Sequence, residues 1–265
     1  MSDTTCYTII SRDAAMLRWC VQNARERAGM PHEWLVVHWL NQDQTEEQTR
    51  AVIECCEQLQ VRRVPFEASH REQHVSKTDW FLYNLYHGWN LGYEESHSSW
   101  VARLGSDQFF SWGWLAQLHE GARLQGPEAL YHCWTVESPQ AKKSRHEIAN
   151  FGIDCASFDP VRFDVYAQCM AETYRDTTTM TGSESCLLFT HPTRGLQARP
   201  DGCTWLQTRR LWEQFGPLPD QINQEQVTGD VAYIDTLSDA GMGSYVVPRS
   251  ITYHLVRGES REVQA

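Results

Sequence analysis

No run of about 18 consecutive apolar residues occurs in this 265-residue chain, so no segment reads as a membrane-spanning helix. No C-x-x-C pair occurs among its nine cysteines, which removes the usual zinc and dithiol patterns. No glycine-rich, lysine-bearing loop follows the first apolar run. SRDAAMLRW contains no glycine at all, and that counts against a phosphate-cradling loop there. No internal repeat, low-complexity tract or flexible linker divides the chain. Basic residues are in the minority, 23 Lys and Arg against 34 Asp and Glu, for a net charge of -11 and a pI near 5.4. That balance excludes a general nucleic-acid surface, which needs a basic stripe, although not a local contact. The opening MSDTTCYTIISRD lacks the charged-then-apolar pattern of a secretory leader. The cysteine count is odd and several thiols fall on apolar faces. The expectation is a cytoplasmic protein with reduced core thiols and no zinc site.

What is present is apolar and aromatic. Hydrophobic residues make up 41% of the chain, enough for a sizeable core, and there are 11 Trp, 10 Tyr and 9 Phe. Most of these rings belong in a core. A flat ring left at a site would suit the apolar face of a sugar. The length fits one α/β domain.

The first half alternates two periodicities. Apolar runs at Cys6–Ile10, Glu33–Trp39, Gln60–Glu67 and Trp100–Leu104 read as strands. Between them Ala14–Ala28, Thr45–Leu59 and Ser76–Gly92 carry apolar residues at helical spacing, opened by capping residues. This order predicts a mostly parallel sheet with helices on its faces. Ligands of such sheets bind beyond the carboxyl ends of the strands, which directs attention to the segments after the first, second and fourth strands. Farther on, Ala129–Ser138 reads as another strand and Phe158–Tyr174 as a helix. Lys142–His146 (KKSRH) is a local basic cluster, a solvated face or a meeting point for an anion.

The last quarter holds the most specific pattern. DGCTWLQTRRLWEQFGPLPD reads as a buried hairpin-like segment and a helix ending at Phe215-Gly216. QVTGDVAYIDTLSDAG places Asp230 at the mouth of a second helix, and SYVVPRSITYH is a strand ending at His254. These segments resemble the motifs "G-x-x-x-x-x-R-R-x-x-W-x-x-x-G-G-F-D", "G-E-D-x-x-L" and "P-x-x-x-x-x-H" of inverting nucleotide-sugar glycosyltransferases of the GT-A type, in the broad family 2 group. VARLGSDQFFSWGWLAQL falls where that family has its D-x-D metal motif, with Gly105 in place of the first acid and Asp107 keeping the last. EWLVVHWLNQDQT falls where the family often reads "VVD-x-x-S-x-D-x-T", so that His38 stands in the place of an Asp that touches the nucleobase or ribose. WFLYNLYHGWNLG resembles the "N-x-G" helix through Asn84 and Gly88. TIISRDAAMLRWCVQNA falls behind the donor nucleotide. The resemblance covers about residues 5–123 and 201–257.

The resemblance implies a single GT-A domain over residues 1–265, with a Rossmann-like, mostly parallel central sheet. Residues 1–123 would form the nucleotide-sugar and metal half, 124–257 the acceptor half with the catalytic-base helix, and 258–265 a tail. It implies a metal-dependent, inverting hexosyl- or pentosyltransferase that uses a nucleoside diphosphate sugar. Asp107 and His254 would hold Mn2+ or Mg2+, with Asp230 as the general base. Ser11, Arg12, His38, Asn84, Ser106 and Asp107 would face the donor. Trp205, Gly229 and Glu184 would face the acceptor, with Glu184 also the rival base. The acceptor would be a hydroxyl on a glycan, a small molecule or a modified DNA base.

Plainer roles stand beside these. Asp107 can cap a helix, Asp230 can be the N-cap of Val231–Ala240, His254 can be a satisfied strand-end histidine, and Trp205 can be core. Gly229 departs from the family's "E-D" pair. Two other classes stay open: a degenerate GT-A-like domain that binds sugar nucleotide or glycan without transfer, and a nucleotidyltransferase.

Overall fold

The computed structural model describes residues 3–138, 147–177, 180–181, 189–190, 197–198, 200–219 and 229–255. Its elements in chain order begin with β1 (Thr4–Ile10), α1 (Ala14–Arg27), β2 (Glu33–Leu40), α2 (Glu46–Leu59), β3 (Arg62–Glu67), α3 (Lys77–Glu95) and β4 (Trp100–Leu104). They continue with β5 (Gln108–Phe110), α4 (Trp114–Gln125), β6 (Ala129–Glu137), β7 (Glu147–Ile148) and α5 (Pro160–Thr173). The short strands β8 (Met180–Thr181), β9 (Phe189–Thr190) and β10 (Gln197–Ala198) follow. The chain closes with β11 (Pro200–Thr208), α6 (Arg209–Phe215), α7 (Gly229–Asp239) and β12 (Gly243–His254).

The helices start where the caps say. Asp13 accepts from Met16 N, Ser76 from Asp79 N and Asp159 from Val161 N and Arg162 N. Thr45 and Gln48 form a reciprocal capping box at the start of α2. Each cap satisfies backbone donors that the first turn leaves unpaired.

The strands lie in the order β3-β2-β1-β4-β11-β6-β12-β5, with β7 beside β6 and β8 beside β12; β9 and β10 form a separate pair. The β1–β2, β2–β3, β1–β4 and β6–β12 pairs are parallel, while β11 is antiparallel to both β4 and β6. The sheet is therefore mixed but mostly parallel, and β1, β2, β3, β4, β6 and β12 all point the same way. The segment expected as hairpin-like from Asp201 is instead one central strand, β11. Its Trp205 and Leu206 face opposite sides, as a strand buried on both faces requires.

Two layers of helix cover this sheet. Cys6, Val36, Leu104 and Leu206 pack with α1, α2 and α4 on one side. Tyr7, Val37, Val101 and Trp205 pack with α3, α6 and α7 on the other. A third cluster, with Phe109, Phe158, Phe163 and Tyr253, joins α5 to the β12–β5 end. Helix α3 presses directly on β1: a Cβ at Gly92 would stand 2.1 Å from the Tyr7 ring. Only a glycine allows that approach. Cys6, Cys20, Cys55, Cys56 and Cys133 are buried free thiols. Among the described residues, no helix is long and apolar enough to cross a membrane.

Candidate active site

Strand direction collects the candidate residues along one edge of the sheet. The carboxyl ends of β1, β2, β4, β6 and β12 are Ile10, Leu40, Leu104, Glu137 and His254. Helix α7 immediately precedes β12 and runs back against it, so Asp230 in its first turn belongs to this same edge. This is where open α/β sheets bind ligands.

At the exit of β4 the chain turns through Gly105, Ser106 and Asp107 into the three-residue strand β5. That strand pairs antiparallel with β12 and sets His254 opposite Gln108. Leu255 N donates to Asp107 O at 3.0 Å. Asn23 of α1 accepts from Phe110 N at 3.0 Å and donates to Gln108 O, which pins β5 from the helix side. Gly105 N donates to Gln108 Oε1 at 2.9 Å, and Thr204 Oγ1 donates to the same oxygen. Cys20 Sγ donates to Gly105 O at 3.3 Å. Burial and the Asp107 charge raise that thiol's pKa and keep it a neutral donor.

These contacts deliver Asp107 to His254. His254 Nε2 lies 3.2 Å from Asp107 Oδ2, and Nδ1 lies 2.8 Å from Glu137 Oε1. Glu137 is the register partner of His254 across the β6–β12 pair. Burial alone would lower the pKa of His254. The charge and hydrogen bond of Asp107, then those of Glu137, outweigh it and raise the imidazole to about 10. These two carboxylates favour a ring protonated at both nitrogens; a cation at Nε2 would displace that proton and leave the Nδ1–H on Glu137.

The donor set fits a hard divalent ion. Nε2 and Oδ2 stand side by side, and one imidazole with one carboxylate would suit Mn2+ and, less well, Mg2+. Among the described residues, no group of three or more His, Cys, Asp or Glu side chains is arranged to hold a metal ion. Two protein ligands would have to be completed by phosphate oxygens and water, the usual arrangement for Mg2+ at phosphates.

Asp230 sits in a different contact. Tyr86 of α3 donates its hydroxyl to Asp230 Oδ1 at 2.7 Å. Helix α7 begins at Gly229, so Asp230 lies in its first turn rather than at the N-cap position expected for it. Gly229 is buried, and a Cβ there would stand 2.0 Å from Pro219 O and 3.1 Å from the Tyr86 ring. The glutamate that the resemblance places at this position has no room, and Gly229 offers no side chain to an acceptor.

Several other expected contact residues are buried and hydrogen-bonded or stacked within the fold. His38 is 0% exposed, so the expected donor contact gives way to a role beneath the site. Its Nε2 bonds Ser11 O at 2.9 Å and its Nδ1 faces Arg63 at 3.0 Å. The tautomer these partners require carries the proton on Nε2, and burial first, with Arg63 adding, lowers its pKa to about 4. Ser11 is likewise buried, with its hydroxyl accepting from Asn41 Nδ2 at 2.7 Å and its carbonyl from Gln44 Nε2. Asn84 is 1% exposed and spends its amide on Ser69 and Trp80 O. Trp205, expected as an acceptor floor, is 0% exposed. Its ring and that of Trp89 sandwich the Arg103 guanidinium at 3.4 and 3.6 Å, and its N–H donates to Tyr93. Each of these side chains is buried by neighbours too distant in sequence to be read from it.

Arg12 does reach open surface. It lines a pocket of about 350 Å³ with Asp13, Ala14, Glu47, Gln48 and Ala51, between the first turns of α1 and α2. Ser106 is half-buried in the turn before Asp107. Glu184 and the basic cluster Lys142–His146 lie outside the described residues. Sequence reasoning missed Gln108, Glu137 and Tyr86. The available signal for Glu137 was an acid ending an otherwise apolar run, ALYHCWTVE.

The chain has the GT-A fold, a Rossmann-like α/β domain with a mostly parallel central sheet. No protein family model matches the chain, and no curated protein matches it. Solved structures do. The crystal structure of GalNAc-T7 with UDP, GalNAc and Mn2+ is similar with a TM-score of 0.58 and 12% identity, over 97% of this chain and 44% of that one. The mannosyltransferase PcManGT from Pyrobaculum calidifontis, in complex with GDP-Man and Mn2+, is similar with a TM-score of 0.53 and 14% identity, over 97% of this chain and 58% of that one. S. aureus TarS 1-349 is similar with a TM-score of 0.53 and 8% identity, over 95% of this chain and 60% of that one. This chain thus spans between 44% and 60% of the length of those proteins.

Proposed function

We propose that this chain is a metal-dependent, inverting glycosyltransferase that moves a sugar from a nucleoside diphosphate sugar to an acceptor hydroxyl. The observation that carries the reading is the Asp107–His254 contact of 3.2 Å at the carboxyl edge of a GT-A sheet. Support comes also from two similar structures that hold Mn2+ with UDP or GDP-Man. Asp107 and His254 would hold the cation, Mn2+ or Mg2+. When bound, it supplies positive charge where the departing diphosphate gains negative charge.

The chain's own residues account for the rest. Asp230 takes the proton from the acceptor hydroxyl as that oxygen attacks the anomeric carbon. The bond from that carbon to the diphosphate breaks on the opposite face, and one displacement inverts the configuration. The Tyr86 hydroxyl occupies Oδ1 and fixes the carboxylate plane. The carboxylate is the proton acceptor, set in the first turn of α7. A positioned base of this kind contributes about 10²–10⁴-fold to rate. The half-buried Ser106 and the Arg12 surface lie along the same edge, for contact with the donor.

A second reading rests on His38, Gly105 and Gly229, where the resemblance places acids. In it the domain binds sugar nucleotide or glycan without transfer. Turnover of a panel of nucleotide sugars by the wild type and by D230N separates the two. Donor turnover that disappears in D230N supports transfer. Nucleotide-sugar binding with no turnover of any donor supports binding alone.

A further inference from the structure

We infer that Glu137 is a positioning residue for His254, holding the imidazole so that Nε2 faces Asp107 and a cation shared between them. The inference rests on the reading of Asp107 and His254 as metal ligands and adds a residue that acts through one of them.

Three observations carry it. First, β6 and β12 are parallel and in register, His254 opposite Glu137, so the last residues of two adjacent strands meet at the edge of the site. Second, Glu137 Oε1 lies 2.8 Å from Nδ1 while Asp107 Oδ2 lies 3.2 Å from Nε2, so the ring is gripped at both nitrogens. Third, the Glu137 side chain is only 6% exposed. A carboxylate is costly to bury, and the contact with His254 offsets part of that cost.

The chemistry gives the contact its direction. An imidazole that binds a cation through one nitrogen must carry its proton on the other. A carboxylate accepting that N–H fixes both the tautomer and the ring orientation, and it makes the free nitrogen a better ligand. Glu137 is the carboxylate on the far nitrogen, and Asp107 is the carboxylate on the ligating side. The two are not interchangeable: Asp107 would share the cation, while Glu137 meets the ring at the opposite nitrogen.

The test is titration of Mn2+ alone into the wild type, E137Q, E137L and D107N, reading free Mn2+ by EPR, with melting temperatures taken in EDTA. The expected order of affinity is wild type, then E137Q, whose amide oxygen still accepts from Nδ1 without the charge, then E137L. The loss at E137L is about 10–100-fold in protein that is still folded in EDTA, and E137Q, which keeps the hydrogen bond at Nδ1, loses less. Wild-type affinity in folded E137Q and E137L, with D107N weakened, would overturn the role of Glu137 and leave the metal reading standing. A wild type that binds Mn2+ no better than D107N would overturn both. A lower melting temperature in E137L with unchanged Mn2+ affinity would make Glu137 purely structural.

Discussion

His254 Nε2 stands 3.2 Å from Asp107 Oδ2 although 147 residues separate them in the chain. The three-residue strand β5 makes this contact. It turns the exit of β4 antiparallel to the end of β12, and the Leu255 N bond to Asp107 O locks the two segments together. An acid just past one strand and a histidine ending another thereby come into contact.

The base assignment predicts a large and specific loss in D230N. Turnover should fall about 10²–10⁴-fold while donor affinity stays near wild type. Y86F should lose on the order of 10-fold, the scale of one hydrogen bond to a charged group. Steady-state kinetics with the donor found by binding would check this. Full activity in D230N would remove Asp230 from the mechanism.

Gly229 predicts a steric result. A Cβ there meets Pro219 O at 2.0 Å and the Tyr86 ring at 3.1 Å, so G229A must push α7 off its seat. The expected cost is about 1–3 kcal/mol, seen as a lower melting temperature, together with reduced turnover because Asp230 moves with the helix. An unchanged melting temperature would contradict the packing described.

Trp205 should behave as core and not as an acceptor platform. W205A removes one wall of the Arg103 sandwich and the bond to Tyr93, and should cost about 3–5 kcal/mol. Denaturant unfolding measures this. A well-folded W205A with a raised acceptor KM alone would restore the acceptor role.

Histidines whose pKa burial lowers contribute to the acid limit of stability, His38 and His119 most strongly. Burial lowers His38 to about 4, and burial lowers His119 to about 4 against the opposing Asp3 charge. Both are neutral in the fold, whereas an unfolded histidine takes a proton below about pH 6.5. Their contribution is therefore complete above about pH 6.5 and is lost as pH falls toward 4. The wild-type melting temperature should drop across that window more steeply than that of an H38Q/H119Q double variant. Parallel curves would show that neither site is linked to folding.

Much of the fold is legible in the sequence for a physical reason. β1, β2 and β4 are short apolar runs buried on both faces, and Asp13, Thr45 and Ser76 cap the helices between them. Those signals are local. Asp107, Asp230 and His254 also fall at element ends that periodicity marks. What escapes is register. β5 has only three residues, too few to show a period. The place of β11 between β4 and β6 and the match of Glu137 to His254 depend on pairings between distant segments. Burial escapes as well: His38, Asn84 and Trp205 carry the right chemistry for contact, yet neighbours far along the chain cover them.

The most direct test of the account is a thermal-shift series with nucleoside diphosphates, each with Mn2+ and with EDTA, on the wild type, D107N and H254Q. A ligand that binds only the folded chain raises its melting temperature. The wild type should shift with at least one nucleoside diphosphate only when Mn2+ is present, and both variants should lose that shift. A wild type that shifts with no nucleotide, or a shift that survives in both D107N and H254Q, would contradict it.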